Sequence, residues 1–119
     1  MIIGTDIPAA TSAGKATATA GMPAGALPAR LVDEIVELAI ANNLAAVLLY
    51  GSRARGDYKR TSDIDLATRG GNASAFAADV EEATSTLLRF DCVNLDGPVD
   101  DQLRDAIDRE GVLLYEEDR

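Results

Sequence analysis

Apolar and polar positions divide this chain into two unequal parts. Residues 1–26 are rich in Ala, Gly and Thr and place few large apolar side chains at any regular period. They read as a low-complexity, flexible leader ahead of a domain at 27–119. From Leu27 the pattern sharpens. Leu27, Leu31, Ile35 and Leu38 recur at helical spacing, with Val32 and Ala39 alongside and Asp33, Glu34 and Glu37 facing out. This predicts an amphipathic helix over 28–42, with Pro28 in its first turn and Asn42-Asn43 at its end. The apolar run Ala45-Ala46-Val47-Leu48-Leu49-Tyr50 predicts a buried strand, followed by a short helical turn at 52–56 and a loop to Ser62.

A second strand is expected at 63–68, closed by Gly70-Gly71. Asn72 or Ser74 can then cap a helix whose core stripe is Phe76, Val80, Ala83 and Leu87. A third strand is expected from Phe90 to Leu95, and a third long helix over 99–109 with Leu103 and Ile107 inward and Gly111 as its stop. Val112-Leu113-Leu114-Tyr115 forms a last strand. Helices and strands alternate, so the fold class is α/β (α+β), a mixed sheet of about four strands covered mainly on one face by helices. The link between the first two strands is too short for a crossover helix, which makes that pair antiparallel.

The chemistry concentrates where strand one ends. Gly51-Ser52 leaves the strand in a turn where the absence of a Cβ lets the backbone approach a phosphate. Arg53-Ala54-Arg55 can open a helical turn whose N–H groups point at that phosphate. Asp63 and Asp65 are two apart, so on a strand both carboxylates leave one face while Ile64 and Leu66 leave the other. Two such carboxylates repel each other unless a cation lies between them. A phosphate cradle beside a divalent-metal pair suits phosphoryl or nucleotidyl transfer.

Composition narrows the classes. Apolar residues make up 47% of the 119, but aromatics only 4%, so the core must be aliphatic. The net charge of −9 argues against a general nucleic-acid coat, which needs a basic surface, and no direct nucleic-acid binding is expected. That charge is one-sided. Residues 1–78 hold seven acids and seven bases, whereas 79–119 hold thirteen acids and four bases. Arg53, Arg55, Lys59 and Arg60 form the one dense basic cluster, readable as a solvated loop or as counter-charge for a triphosphate. There is no His, which removes His-based catalysis and His metal sites. The single Cys92 lies in an apolar run and reads as a small buried hydrophobe in a reducing compartment. No run reaches the ~20 apolar residues of a membrane span, and the cytoplasm is the expected location.

Chemistry on a hydroxyl also wants a further base close to the metal. Asp91, in Phe90-Asp91-Cys92-Val93, heads a strand that can neighbour strand two. Spacing alone leaves it equally readable as a third site carboxylate or as a solvated strand end.

Read in full, GSRARGDYKRTSDIDLA resembles the minimal nucleotidyltransferases of the DNA polymerase beta superfamily, and the likeness extends loosely from the helix at 28 to the terminal VLLY strand. The resemblance implies a polymerase beta-like palm fold and selects the site reading of Asp91. It implies that Gly51 and Ser52 hold the β- and γ-phosphates of ATP. Asp63 and Asp65 would bind two Mg²⁺ ions, and Asp91 would join the second metal and help deprotonate the acceptor hydroxyl. Position alone adds Arg53 or Arg55 as counter-charge for the leaving group. Minimal members commonly pair with a HEPN-domain ribonuclease toxin and silence it by transferring AMP to a tyrosine, so a hetero-oligomer is expected. Stoichiometric antitoxin binding without catalysis, and transfer to a small molecule, are the alternatives. The acidic 79–119 segment suits either docking on a basic partner or simple solubility.

Overall fold

The computed structural model describes residues 27–118; the expected leader at 1–26 lies outside them. The first helix, α1, spans Ala29–Ala41 and buries Leu31, Val32, Ile35 and Ala39, the stripe that the helical period selects. Pro28 caps it, its carbonyl accepting from Val32 N–H at 3.1 Å. Asn42 ends it, its side-chain amide donating to Leu38 O at 2.9 Å and to the Asp79 carboxylate at 3.0 Å.

Four strands follow: β1 at Ala46–Tyr50, β2 at Ile64–Arg69, β3 at Phe90–Asn94 and β4 at Val112–Glu116. They form one mixed sheet in the order β3-β2-β1-β4. The short link between β1 and β2 gives the antiparallel pair its length predicts, with Tyr50 opposite Asp65. β4 is also antiparallel to β1, with an irregularity between Val47 and Leu48. β2 and β3 run parallel, which requires the crossover that α3 (Ala73–Ala83) supplies. Gly70 and Gly71, both at positive φ, turn the chain out of β2 into α3. Asn72 caps that helix, accepting from Ala75 N–H at 3.1 Å.

Period-2 alternation sends the strand residues to two cores. Val47, Leu49, Ile64, Leu66 and Leu114 pack with Leu31 and Ile35 of α1 and Phe76 and Val80 of α3. On the opposite face Tyr50, Ala67, Leu95 and Ile107 pack together, joined by Leu48, Val93 and Leu103. Ile107 and Leu103 belong to α4 (Asp101–Glu110), so this helix covers the face that α1 and α3 leave. Gly111 is its C-cap. Asp65 and Asp91 share that second face by parity with Ala67 and Val93, but lie at the head of β2 and β3.

One expected core stripe is corrected. α3 ends at Ala83, which is exposed, and Leu87 lies beyond the helix, fully exposed on the 84–89 connection. Ser85 is drawn aside by Glu34 of α1, whose carboxylate accepts from its N–H and its hydroxyl at 3.0 and 2.9 Å. With the chain diverted there, the helical phase that would have carried Leu87 inward is lost.

Candidate active site

Gly51 is the hinge of the site. Its φ of 76° and ψ of −155° lie in a region essentially restricted to glycine. A Cβ at this position would overlap the Asp65 carboxylate. The glycine is thus required twice, by its own dihedrals and by the carboxylate packed on it. One short helical turn, α2 at Ser52–Arg55, follows; Gly51 O accepts from Ala54 and Arg55 N–H at 3.1 and 3.0 Å. Gly56, at φ 94°, closes it.

The strand registers bring the carboxylates together. Tyr50, Asp65 and Asp91 form a row across β1, β2 and β3, each opposite the next. Opposed residues point to the same face, so Asp65 and Asp91 are neighbours from different strands. Asp63 lies one residue ahead of β2 and is exposed, as is Asp91, while Asp65 is half-buried. The three carboxylates interact electrostatically. Partial burial raises the Asp65 carboxyl above its ordinary value first, then the charges of Asp91 and Asp63, with Arg55 opposing them. Tyr50 feels the same field. Burial, then Asp91 and Asp65, push its phenol up to about 12, so it stays a neutral hydroxyl. Burial and Asp91 likewise push the Cys92 thiol to about 11, which leaves no thiolate at neutral pH.

Hard carboxylate oxygens, with the ionisation of Asp65 opposed by burial and then by like charge, suit a hard divalent cation, which would relieve that repulsion. Among the described residues, however, no three His, Cys, Asp or Glu side chains converge closely enough to hold a metal unaided. The donor set therefore fits an ion that takes the rest of its ligands from elsewhere. Mg²⁺ commonly does so, held by one or two carboxylates plus substrate phosphates.

The two arginines have different positions. Arg53 is buried, and its Nε donates to Ser62 O at 3.1 Å while Nη2 donates to Arg60 O at 3.2 Å. Its guanidinium also stacks 4.7 Å from the centre of the Tyr58 ring. This side chain is taken up by the 58–62 loop and braces the approach to Asp63. Arg53→Ala is expected to destabilise the fold by about 1–3 kcal/mol, because it strips donors from loop carbonyls. Chemical denaturation of the variant measures this. Arg55, by contrast, is exposed, held between Asp57 at 3.3 Å and Glu110 at 3.1 Å. It is the arginine whose charge reaches Asp65.

Sequence reasoning missed Tyr50 as part of this row, and Glu110 as the anchor that ties α2 to α4. An aromatic ending an aliphatic strand just before Gly-Ser was the available signal for Tyr50. None existed for Glu110, one acid among many.

The family described as "Polymerase beta, Nucleotidyltransferase" matches residues 33–119. No curated protein matches the sequence. Among solved structures, a toxin-antitoxin crystallised with AMP-PNP is similar at a TM-score of 0.60 and 24% identity, over 71% of this chain and 73% of that one. A mutant of the toxin-antitoxin MntA-HpeT is similar at 0.58 and 20% identity, over 71% and 72%. At such identities the likeness is one of fold. Among the described residues, no helix is long and apolar enough to cross a membrane. The family match spans all four strands, the Gly51-Ser52 turn and the three aspartates, and the chain belongs to the polymerase beta nucleotidyltransferase family.

Proposed function

We propose that this nucleotidyltransferase is a metal-dependent antitoxin that transfers AMP from ATP to a tyrosine of a HEPN ribonuclease toxin. The observation that carries the reading is the Asp65–Asp91 pair held in register beside a turn only glycine can make. Two aspects of the related structures support it: one holds AMP-PNP, and another is a mutant in which two aspartates two residues apart become glutamate. The spacing of that pair equals the spacing of Asp63 and Asp65.

In this mechanism Gly51 and Ser52 receive the β- and γ-phosphates where the backbone can approach them. Asp63, Asp65 and Asp91 are the residues that would hold two Mg²⁺ ions alongside the triphosphate. When bound, these ions offset phosphate charge and lower the pKa of an attacking hydroxyl. Asp91, the more exposed of the in-register pair, accepts the acceptor hydroxyl's proton. The tyrosine oxygen then attacks the α-phosphorus in line, and pyrophosphate leaves. Arg55 lies close enough to Asp65 to balance charge there.

The alternative is an antitoxin that neutralises by binding alone. Incubation of the protein and its toxin with ATP and Mg²⁺, followed by mass mapping of the toxin, separates the two. The transferase reading predicts one AMP on a toxin tyrosine. An unmodified toxin, neutralised equally well by Asp63→Asn/Asp65→Asn, would overturn it.

A further inference from the structure

A groove of about 680 Å³ opens between the start of α1, the 58–62 loop and the 84–89 connection. It lies apart from the carboxylate row, and the proposed reaction makes no use of it. Buried Leu27 and Leu31 form its base, with Leu88 beside them. Its charge is the reverse of the chain's. In a protein of net charge −9, the residues lining it include Arg30, Arg53 and Arg60 and not one acid. Arg30 and Arg60 are exposed at its rim. Glu34 of α1 accepts from Ser85 and lies 3.8 Å from the Arg30 guanidinium.

Leu87 stands fully exposed beside this groove. The connection that presents it is pinned on both sides: Glu34 holds Ser85, and Thr86 accepts from Leu88 N–H at 3.1 Å. A large apolar side chain held out in water beside an apolar groove is a mark of an interaction surface.

We propose that this groove docks a segment of a partner protein that presents an apolar side chain flanked by carboxylates. The apolar side chain covers Leu87, Leu88 and the groove base, and the carboxylates meet Arg30 and Arg60. The partner's being a protein rests on the antitoxin reading above; the chemistry of its segment rests on the groove. A basic segment is disfavoured by Arg30 and Arg60 and would find its counter-charge on 79–119 instead.

Selection of phage-displayed random peptides on the full chain tests this. The enriched peptides are expected to carry Leu, Ile, Met or Phe next to Asp or Glu. Their affinity should fall at least about tenfold in Leu87→Ser/Arg60→Glu, whose exposed positions leave the fold intact. Enrichment of peptides without acidic residues, no enrichment, or equal binding to the double variant would overturn the proposal. So would displacement by a synthetic peptide of residues 1–26, which assigns the groove to the chain itself. A concentration-dependent dimer lost in the double variant would assign it to a second copy, with the same consequence. Asp65→Asn should keep peptide binding, and Leu87→Ser alone should keep Mg²⁺–ATP binding. Failure of the groove therefore leaves the transfer reading standing, and failure of transfer leaves the groove.

Discussion

Asp65→Asn should abolish AMP transfer, by about 1,000-fold or more, while making the protein more stable at neutral pH. The first effect follows from its place. Asp65 is the middle of the row, flanked by Tyr50 and Asp91 and packed on Gly51. In the proposed reaction, removing its charge would weaken the grip on ions that offset triphosphate charge, a contribution of several kcal/mol to the transition state. The second effect follows from the titration of its carboxyl. Folding raises the pKa of Asp65, through burial first and then the charges of Asp91 and Asp63. An acid with a raised folded pKa binds its proton more tightly in the native state than in the unfolded one. Its ionised form therefore opposes folding at any pH above the folded pKa, and that opposition disappears as pH falls below the unfolded value. The variant should melt higher than the parent at neutral pH, and the two should converge as pH is lowered through the carboxylate range. Thermal melts across that range, beside transfer assays, check both. A lower melting temperature for the variant would mean that Asp65 is a structural anchor.

Gly51→Ala should fail in both respects. The dihedrals at this position cost an alanine about 1–3 kcal/mol, and its Cβ would meet the Asp65 carboxylate. Neither conflict can be relieved without moving the turn or the aspartate, so stability and transfer fall together. Gly56→Ala is the control. Gly56 also has a positive φ, 94°, but nothing lies within 4 Å of where its Cβ would be. It should lose stability from backbone strain and keep transfer. Equal loss of transfer in the two variants would show that α2 as a whole is what matters, with no special part for the contact between Gly51 and Asp65.

The two glycine variants illustrate which parts of this protein can be read from its sequence. Strand order could be inferred where link length decides it. Only thirteen residues separate β1 from β2, four of them in the short helical turn, too little for a full crossover helix, and the pair is antiparallel. The in-register neighbours Asp65 and Asp91 were within reach for a related reason, since parity fixes which face a strand residue uses once its neighbours are known. The stripe through Leu87 shows where periodicity stops being informative. It continues a helical phase on paper, but Glu34, fifty-one positions away from Ser85, takes the chain out of that phase. Arg53 shows the same blindness to distant partners. Nothing in its place beside Ser52 announces that the carbonyls of Arg60 and Ser62 engage its guanidinium. Both features come from tertiary hydrogen bonds that leave no local pattern. The site's core needed only a turn, two strands and the alternation of side chains, and these are local.

The proposed transfer requires that the α-phosphorus of ATP is the atom attacked. Two parallel incubations with the toxin and Mg²⁺, one with ATP radiolabelled at the α-phosphate and one at the γ-phosphate, test it most directly. Nucleotidyl transfer predicts label on the toxin from the α-labelled ATP and none from the γ-labelled, with label in pyrophosphate in the second case. Label from the γ-phosphate would make the protein a kinase, and absence of label from both would make it a binding antitoxin; either result contradicts nucleotidyl transfer.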